Sequence, residues 1–417
     1  MDKILDRTRL IIGLFTASAL SVAIFARGGD FSAPEELRPM LKIQWRLGPD
    51  YPMGIQDSAV GYVGGRIVSA GGFTRHPLGI LALHPDAFAG EPSGFTKLAF
   101  VLDPAHEELG WQRIPDIPGP ARQGGAVAVA GDAMYVMGGI NYDEPYTYRD
   151  SYQLRSCDGK WVWTTLESCR LPWPVYGAAA STAVIGSKVY LFGVADFFPA
   201  PNATGPDFHT EAGREGSPVS KALLVLDTED LESGWKRLAD CPGLPQFDAG
   251  VAAAGGRIWR LGGIYAPVKK QTDLWRGENA YFNAVDSWVY DPGTDRWSRL
   301  RDMPDGSNRR ALTWQDRYVI LIAGYKYPLT WRLDGTRTDA YTAEEKAREW
   351  KEFFEKTVLV YDTKAGQLGT ADSLIERTSY PSSAIVGDTI YCLGGEGGPR
   401  LWHPATFQIG KIVGPAP

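Results

Sequence analysis

Six times along the chain a short apolar run ends in a glycine pair or its remnant: 66–72 (RIVSAGG), 133–139 (AMYVMGG), 188–194 (KVYLFGV), 257–263 (RIWRLGG), 318–324 (YVILIAG) and 389–395 (TIYCLGG). Each follows a second short run that closes in a turn, such as AVGYVGG or STAVIGS. Successive glycine ends stand 55 to 71 residues apart, which is room for four short antiparallel strands. Runs this short, repeated at one rough period, predict a ring of four-stranded sheets.

The second half of each repeat has its own pattern. A strand ending in aspartate, such as KALLVLD or SWVYD, leads through a tight turn to a tryptophan strand and then a proline. Trp111, Trp235 and Trp297 open three such strands, Trp163 opens a looser copy, and the fifth repeat carries Leu368 instead. The glycine pair, the Tyr/Leu-Asp strand end and the Trp-x-x-Leu strand resemble the kelch motif over about residues 42–415. The resemblance implies an all-β fold, a six-bladed kelch-type β-propeller, and leaves the function open. The sixth repeat has room for a third strand near 406–413 but no tryptophan strand. An orphan copy, Trp45-Arg46-Leu47 followed by Pro49, precedes the first repeat. The propeller is therefore expected to span 42–417, closed by an N-terminal strand that removes the free sheet edges.

Residues 1–29 read separately from the propeller, with 30–41 as a linker. Lys3, Arg7 and Arg9 precede sixteen uncharged residues, 10–25. That run is long for a signal-peptide core and short for a membrane span. Export with cleavage is the expectation, giving a periplasmic or extracellular protein, with retention as an N-terminal membrane anchor the alternative. The net charge of −6, with both signs interspersed and no basic stripe, argues against a nucleic-acid partner. The four cysteines, Cys157, Cys169, Cys241 and Cys392, form neither a metal pattern nor a disulfide framework. Five histidines are too few and too scattered for a His-rich metal site or triad, so neither metal nor cofactor is expected. A monomer is expected.

In a four-strand meander, the loop after the second strand and the link leaving the fourth emerge on one face. The long insertions, about 73–96, 140–150, 195–220, 264–285 and 325–356, all fall there, and loops of such length in a compact domain are usually functional. They are rich in aromatic and charged residues, and 342–356 reads as a helix opened by a Thr342-x-x-Glu345 capping box. Nearest the axis stand Asp57, Arg122, Tyr176, Asp248, Arg309, Arg310 and Tyr380, with Phe73, Asn141, Tyr265, Tyr325 and Glu396 just past the glycine ends. Aromatic walls with several arginines suit a small anionic sugar or glycan, because guanidinium pairs with carboxylate and aromatic faces stack on sugar rings. The structural alternative is that Arg122 and Arg310 bridge neighbouring blades through carboxylates such as Asp248 or Asp57.

The copper radical oxidases and iron-binding specifier proteins of kelch architecture need residue sets that this chain lacks. The sialic acid mutarotases are similar in blade number, in closure and in export. That class has a glutamate general acid/base after a strand-ending glycine and an arginine six residues on. Gly395-Glu396-Gly-Gly-Pro-Arg400 resembles it at shorter spacing. The resemblance implies Glu396 as the proton-transferring group and Arg122, Arg310 and Arg400 holding a carboxylate, among Tyr176, Asp248, Tyr265, Tyr325 and Tyr380. Anomer exchange needs only a proton taken from one hydroxyl and given to the ring oxygen. Glu396 could equally pair with Arg400 across its loop. Two functions thus stand: a sugar-acid mutarotase/epimerase, or a non-catalytic kelch module binding a protein or glycan on the same face.

Overall fold

The computed structural model describes residues 37–74, 94–141, 147–172, 181–192, 221–246, 248–265, 282–306, 308–341, 343, 354–379, 381–397 and 404–416. Strand β1 is Leu41–Leu47. Blade one is β2–β5 (Ala59–Val63, Arg66–Ala70, Ala99–Leu102, Gln112–Ile114). Blade two is β6–β9 (Ala126–Ala130, Ala133–Met137, Ser151–Cys157, Lys160–Thr165). Blade three is β10–β13 (Thr182–Ile185, Lys188–Phe192, Leu223–Asp227, Lys236–Arg237), and blade four is β14–β17 (Gly250–Ala254, Arg257–Tyr265, Phe282–Asp291, Arg296–Arg299). Blade five begins with β18 (Arg310–Trp314) and β19 (Tyr318–Ile322). Its loop then forms a hairpin, β20 (Leu329–Trp331) and β21 (Arg337–Asp339), before β22 (Val358–Asp362) and β23 (Gln367–Ala371) complete the blade. Blade six is β24 (Ser382–Val386), β25 (Thr389–Leu393) and β26 (Phe407–Pro415), with β1 as its outermost strand.

The ring closes as the orphan tryptophan strand implies. β1 runs antiparallel to β26 from Leu41↔Pro415 to Leu47↔Gln408, so the first strand of the ring completes the last blade. The chain folds as a six-bladed, all-β propeller of the kelch type.

Apolar packing is divided among six seams, one between each pair of neighbouring blades. Between blades five and six, for example, Leu41, Ile43 and Ile412 meet Ile320, Ile322 and Val360. Burial in a seam needs a side chain from each sheet face, and so the period-2 pattern of each strand fills two seams at once. The motif tryptophans stitch these seams on the outside. Trp111, Trp163, Trp235, Trp297 and Trp45 each donate the indole N–H to a backbone carbonyl of the preceding blade: Pro49, Pro115, Cys169, Ala239 and Asp372, at 2.8–3.2 Å. Leu368 of blade five has no such donor and only packs against the seam between blades four and five.

The glycine pairs are conformational necessities. In blade two, φ is +66° at Gly138 and +101° at Gly139, and a Cβ on Gly139 would lie 2.8 Å from the Gln123 carbonyl oxygen. Only glycine accepts both the left-handed turn and that approach without strain. Blade five places Ala323 in the first position at φ +59°.

The structure adds an element where the sequence reads only as loop. β20 pairs in parallel with β16 through Asn283↔Thr330 and Ala284↔Trp331, so the blade-five hairpin extends blade four's sheet. Asn283 fixes it, donating to the carbonyls of Tyr327 and Leu329 and accepting from Tyr327 N–H. The expected 342–356 helix lies mostly outside the described residues. Its described end, 354–356, is not helical: Phe354 forms an extended bridge with Tyr325.

Candidate functional site

The six innermost strands surround an axial channel of about 470 Å³. Its wall is largely aliphatic, with Val60, Val127, Val184, Val251, Ala311 and Ala384 each from a different blade. Three of the hydroxyls in it are committed elsewhere. Thr182, Thr313 and Ser382 donate to the carbonyls of Val127, Ala253 and Ser58 on the neighbouring inner strands. Arg310 is the one charged lining side chain among the described residues, and it stands with Ser58 and Ser382 where the inner strands begin, on the long-loop side.

Arg310 is 7% exposed and only partly satisfied. Its Nε donates to the Pro381 carbonyl at 2.9 Å, its Nη2 lies 3.7 Å from Asp57 Oδ1, and its Nη1 has no partner. A buried guanidinium nitrogen without an acceptor is costly unless something else supplies one. Asp57 and Asp248 share this end of the axis, and both are buried. Burial pushes the Asp57 carboxyl up to about 6, against the opposing pull of Arg310 and the Gln56 side-chain hydrogen bond. Burial raises Asp248 well above the usual carboxylate range; the Asp57 charge adds to that, and Arg310 opposes it. Among the described residues the Asp248 carboxyl makes no hydrogen bond. Both aspartates adopt left-handed backbone, φ +51° and +47°, at the position two residues before an inner strand where blade two has Gly124. An aspartate tolerates that conformation less well than glycine.

Arg122 has a different setting. It pairs with its own blade, not with a neighbour's Asp248 or Asp57. Nη1 and Nη2 hold the two Asp150 oxygens at 2.5 and 2.9 Å. The remaining donors reach the carbonyls of Pro120 and Gly138 and the Tyr152 hydroxyl, while the Tyr148 ring lies 4.4 Å from the guanidinium carbon. Burial pushes Asp150 up, but Arg122 and the Tyr152 hydroxyl outweigh it and hold the carboxyl below its usual range. Arg309 repeats the arrangement in blade five, with Asp305 as its partner and the carbonyls of Ala323 and Thr357 as acceptors. Both arginines clamp the carbonyl of the first residue of the glycine-pair turn.

Glu396 is half-buried, and its backbone bridges Ser379 in both directions. Its charge acts on Tyr325, whose hydroxyl is raised chiefly by burial and then by Glu396, against a hydrogen bond from Tyr341. The Tyr325 ring packs against Tyr327 at 4.9 Å and Phe354 at 5.2 Å. Tyr265 sits edge-on to Trp331 of the blade-five hairpin, at 5.2 Å. Tyr176, Tyr380 and Arg400 lie outside the described residues. Sequence reasoning missed Asp150 as the partner of Arg122. It also missed Arg260 and Asp286, a wholly buried ion pair at 2.6 Å within blade four.

No protein-family model matches the chain. It is 29% identical over 213 residues to the N-acetylneuraminate epimerase of Yersinia enterocolitica, covering 45% of this chain and 50% of that protein. It is 24% identical to Kelch-like protein 15 of Danio rerio over 243 residues (58% of this chain, 35% of that one), and 33% identical over 87 residues (20% and 22%) to a kelch domain-containing protein of Vibrio cholerae. The chain spans about half the length of the epimerases it matches. A solved structure, "Structure of YjhT", superposes with a TM-score of 0.57 at 15% identity, covering 88% of this chain and 97% of that one. The fold is that of the kelch propellers. At these identities the chain is similar both to proteins named as epimerases and to proteins named only for their kelch repeats.

Proposed function

We propose that the protein binds a small anionic sugar at the loop-side end of its axis and exchanges its anomers, as a sialic acid mutarotase/epimerase-like isomerase. The observation that carries the reading is Arg310: a buried guanidinium beside two carboxyls, with one nitrogen lacking an acceptor. A sugar carboxylate supplies that acceptor, and the charge-assisted hydrogen bond formed in a buried site is a strong one. Glu396 and Tyr325 stand together past the glycine ends of blades six and five and belong to the rim of the same face. The names of the epimerase relatives support sugar-acid chemistry. The basic start and the uncharged 10–25 run support export as part of the same proposal.

The test is titration of the full chain with N-acetylneuraminate, with anomer exchange followed by NMR. The expected result is saturable binding and exchange faster than in buffer, with Arg310→Met weakening binding about thirtyfold or more. Failure to bind any sialic or uronic acid overturns the reading. The alternative, a non-catalytic module, is favoured by the kelch-like relative and by β21, a fully exposed strand on the edge of blade four's sheet. Binding without accelerated exchange would select it.

A further inference from the structure

We propose that Asp57 and Asp248, facing one another across the axis from opposite blades, are the proton-transferring pair of this site, acting on a sugar acid held by Arg310. The proposal rests on the isomerase reading above and assigns its chemistry to residues other than Glu396.

Three observations place the pair. Asp57 precedes the inner strand of blade one and Asp248 that of blade four, and in a closed ring of six those blades are opposite. Both side chains are buried at the end of the axis where Arg310 has its unpartnered Nη1. Both occupy the left-handed turn that blade two makes with Gly124, so the carboxyl is present where glycine would fit with less strain. An ordinary structural aspartate at such a turn would hydrogen-bond nearby backbone N–H groups. Asp248 makes no hydrogen bond among the described residues, and Asp57 is held only by Gln56 and, more distantly, Arg310.

The two groups also differ in charge state, as an acid and a base must. Asp57, with its carboxyl near 6, is ionised at neutral pH beside Arg310. Asp248 is raised well above its ordinary value and shifted further by Asp57. In the exchange step, Asp57 takes the proton of the anomeric hydroxyl, whose O–H electrons form the carbonyl. The bond from the anomeric carbon to the ring oxygen breaks, and its electron pair stays on that oxygen, which takes the proton from Asp248. Rotation about the freed carbon–carbon bond and reversal of the steps closes the ring on the other face. Proton count and charge are unchanged over the cycle, and no oxidant or further reactant is needed.

The experiment measures N-acetylneuraminate exchange by NMR and binding by calorimetry for wild type, Asp57→Asn, Asp248→Asn, Asp57→Glu and Glu396→Gln. Each asparagine variant should slow exchange about a hundredfold or more while binding stays within about fivefold of wild type. Retained binding also certifies the fold. Asp57→Glu should restore part of the rate, which a purely structural aspartate would not do. The wild-type rate should fall on acidification through pH 6. If both asparagine variants exchange within threefold of wild type while Glu396→Gln abolishes exchange, the pair is wrong and the isomerase reading stands. If wild type binds the sugar without accelerating exchange, the isomerase reading fails and the pair falls with it.

Discussion

Arg122 stands four residues before β6 in blade two and Arg310 is the first residue of β18 in blade five, near but not equivalent positions in their repeats. Each lies at or just before an innermost strand on the long-loop side, each is almost wholly buried, and each faces an aspartate. The difference lies in what the guanidinium has left over. All the donors of Arg122 are engaged by Asp150, two backbone carbonyls and a tyrosine hydroxyl. Arg310 makes one good hydrogen bond, a loose ion pair at 3.7 Å and, at Nη1, none. The neighbouring carboxyls respond accordingly, Asp150 held below its usual range and Asp57 and Asp248 above theirs. A buried charge whose partners are complete is part of the architecture. One whose partners are incomplete, in a place the fold does not require it, is where we propose that a ligand binds.

The completed clusters can be broken first, and there the effect should be largest. Asp286 accepts from Arg260, Gln246, Trp288 and the Leu244 N–H, and neither Asp286 nor Arg260 is exposed at all. Asp286→Ala leaves the Arg260 charge uncompensated and should cost about 3–5 kcal/mol in urea unfolding. Arg122→Met removes a pair whose aspartate is 24% exposed, so water recovers part of the loss. About 2–3 kcal/mol is expected, with sugar-acid affinity unchanged once the variant is folded. Loss of affinity out of proportion to stability would return Arg122 to the binding site.

Arg310→Met is the counterpart in the incomplete cluster. It leaves the Pro381 carbonyl with only the longer hydrogen bond from the Ser383 hydroxyl, but Asp57 can take up a proton rather than stay charged and alone, so only about 1 kcal/mol of stability should be lost. Affinity for a sugar acid should fall far more, as argued above. If Arg310→Met instead melts as low as Arg122→Met and binding is untouched, the contrast between the two arginines collapses.

Most of the ring is legible in the sequence, for a physical reason. Glycine pairs mark turns that other residues cannot make, and each motif tryptophan reports a seam through its indole N–H. These signals are local along the chain. Arg310 and Asp248 are legible as axial residues because the start of an inner strand must lie near the axis. The partners of the arginines are not. Asp150 is 28 residues from Arg122 at the far side of a loop, and Arg260 sits inside a strand whose apolar alternation hides it. Arg309 repeats the device of Arg122 at a different distance from its strand, so no fixed spacing announces it. The β20–β21 hairpin reads as loop because each strand has three residues, and its pairing depends on Asn283, well outside the segment.

The most direct test of the incomplete cluster needs no ligand. Asp248 is a buried acid with a native pKa raised well above the unfolded value. The native state therefore holds this proton more tightly than the unfolded chain does. The stability it contributes is complete below the ordinary aspartate range. It is lost as pH rises towards and through the raised native value, at about 1.4 kcal/mol per pH unit. Asp248→Asn carries no titrating group and escapes that loss. Its melting temperature relative to wild type should rise steadily from pH 4 to pH 8, starting near zero or slightly negative. Asp57 is retained in the variant with its carboxyl near 6 and titrates in both proteins, so it leaves the direction of the difference unchanged. The matching substitution in the completed cluster, Asp150→Asn, must run the other way. There the native carboxyl is lowered, its stabilisation is present above the ordinary aspartate range, and the variant should fall further behind wild type as pH rises from 3 to 6. Two parallel curves would mean that the two clusters differ in geometry alone and not in the state of their carboxyls.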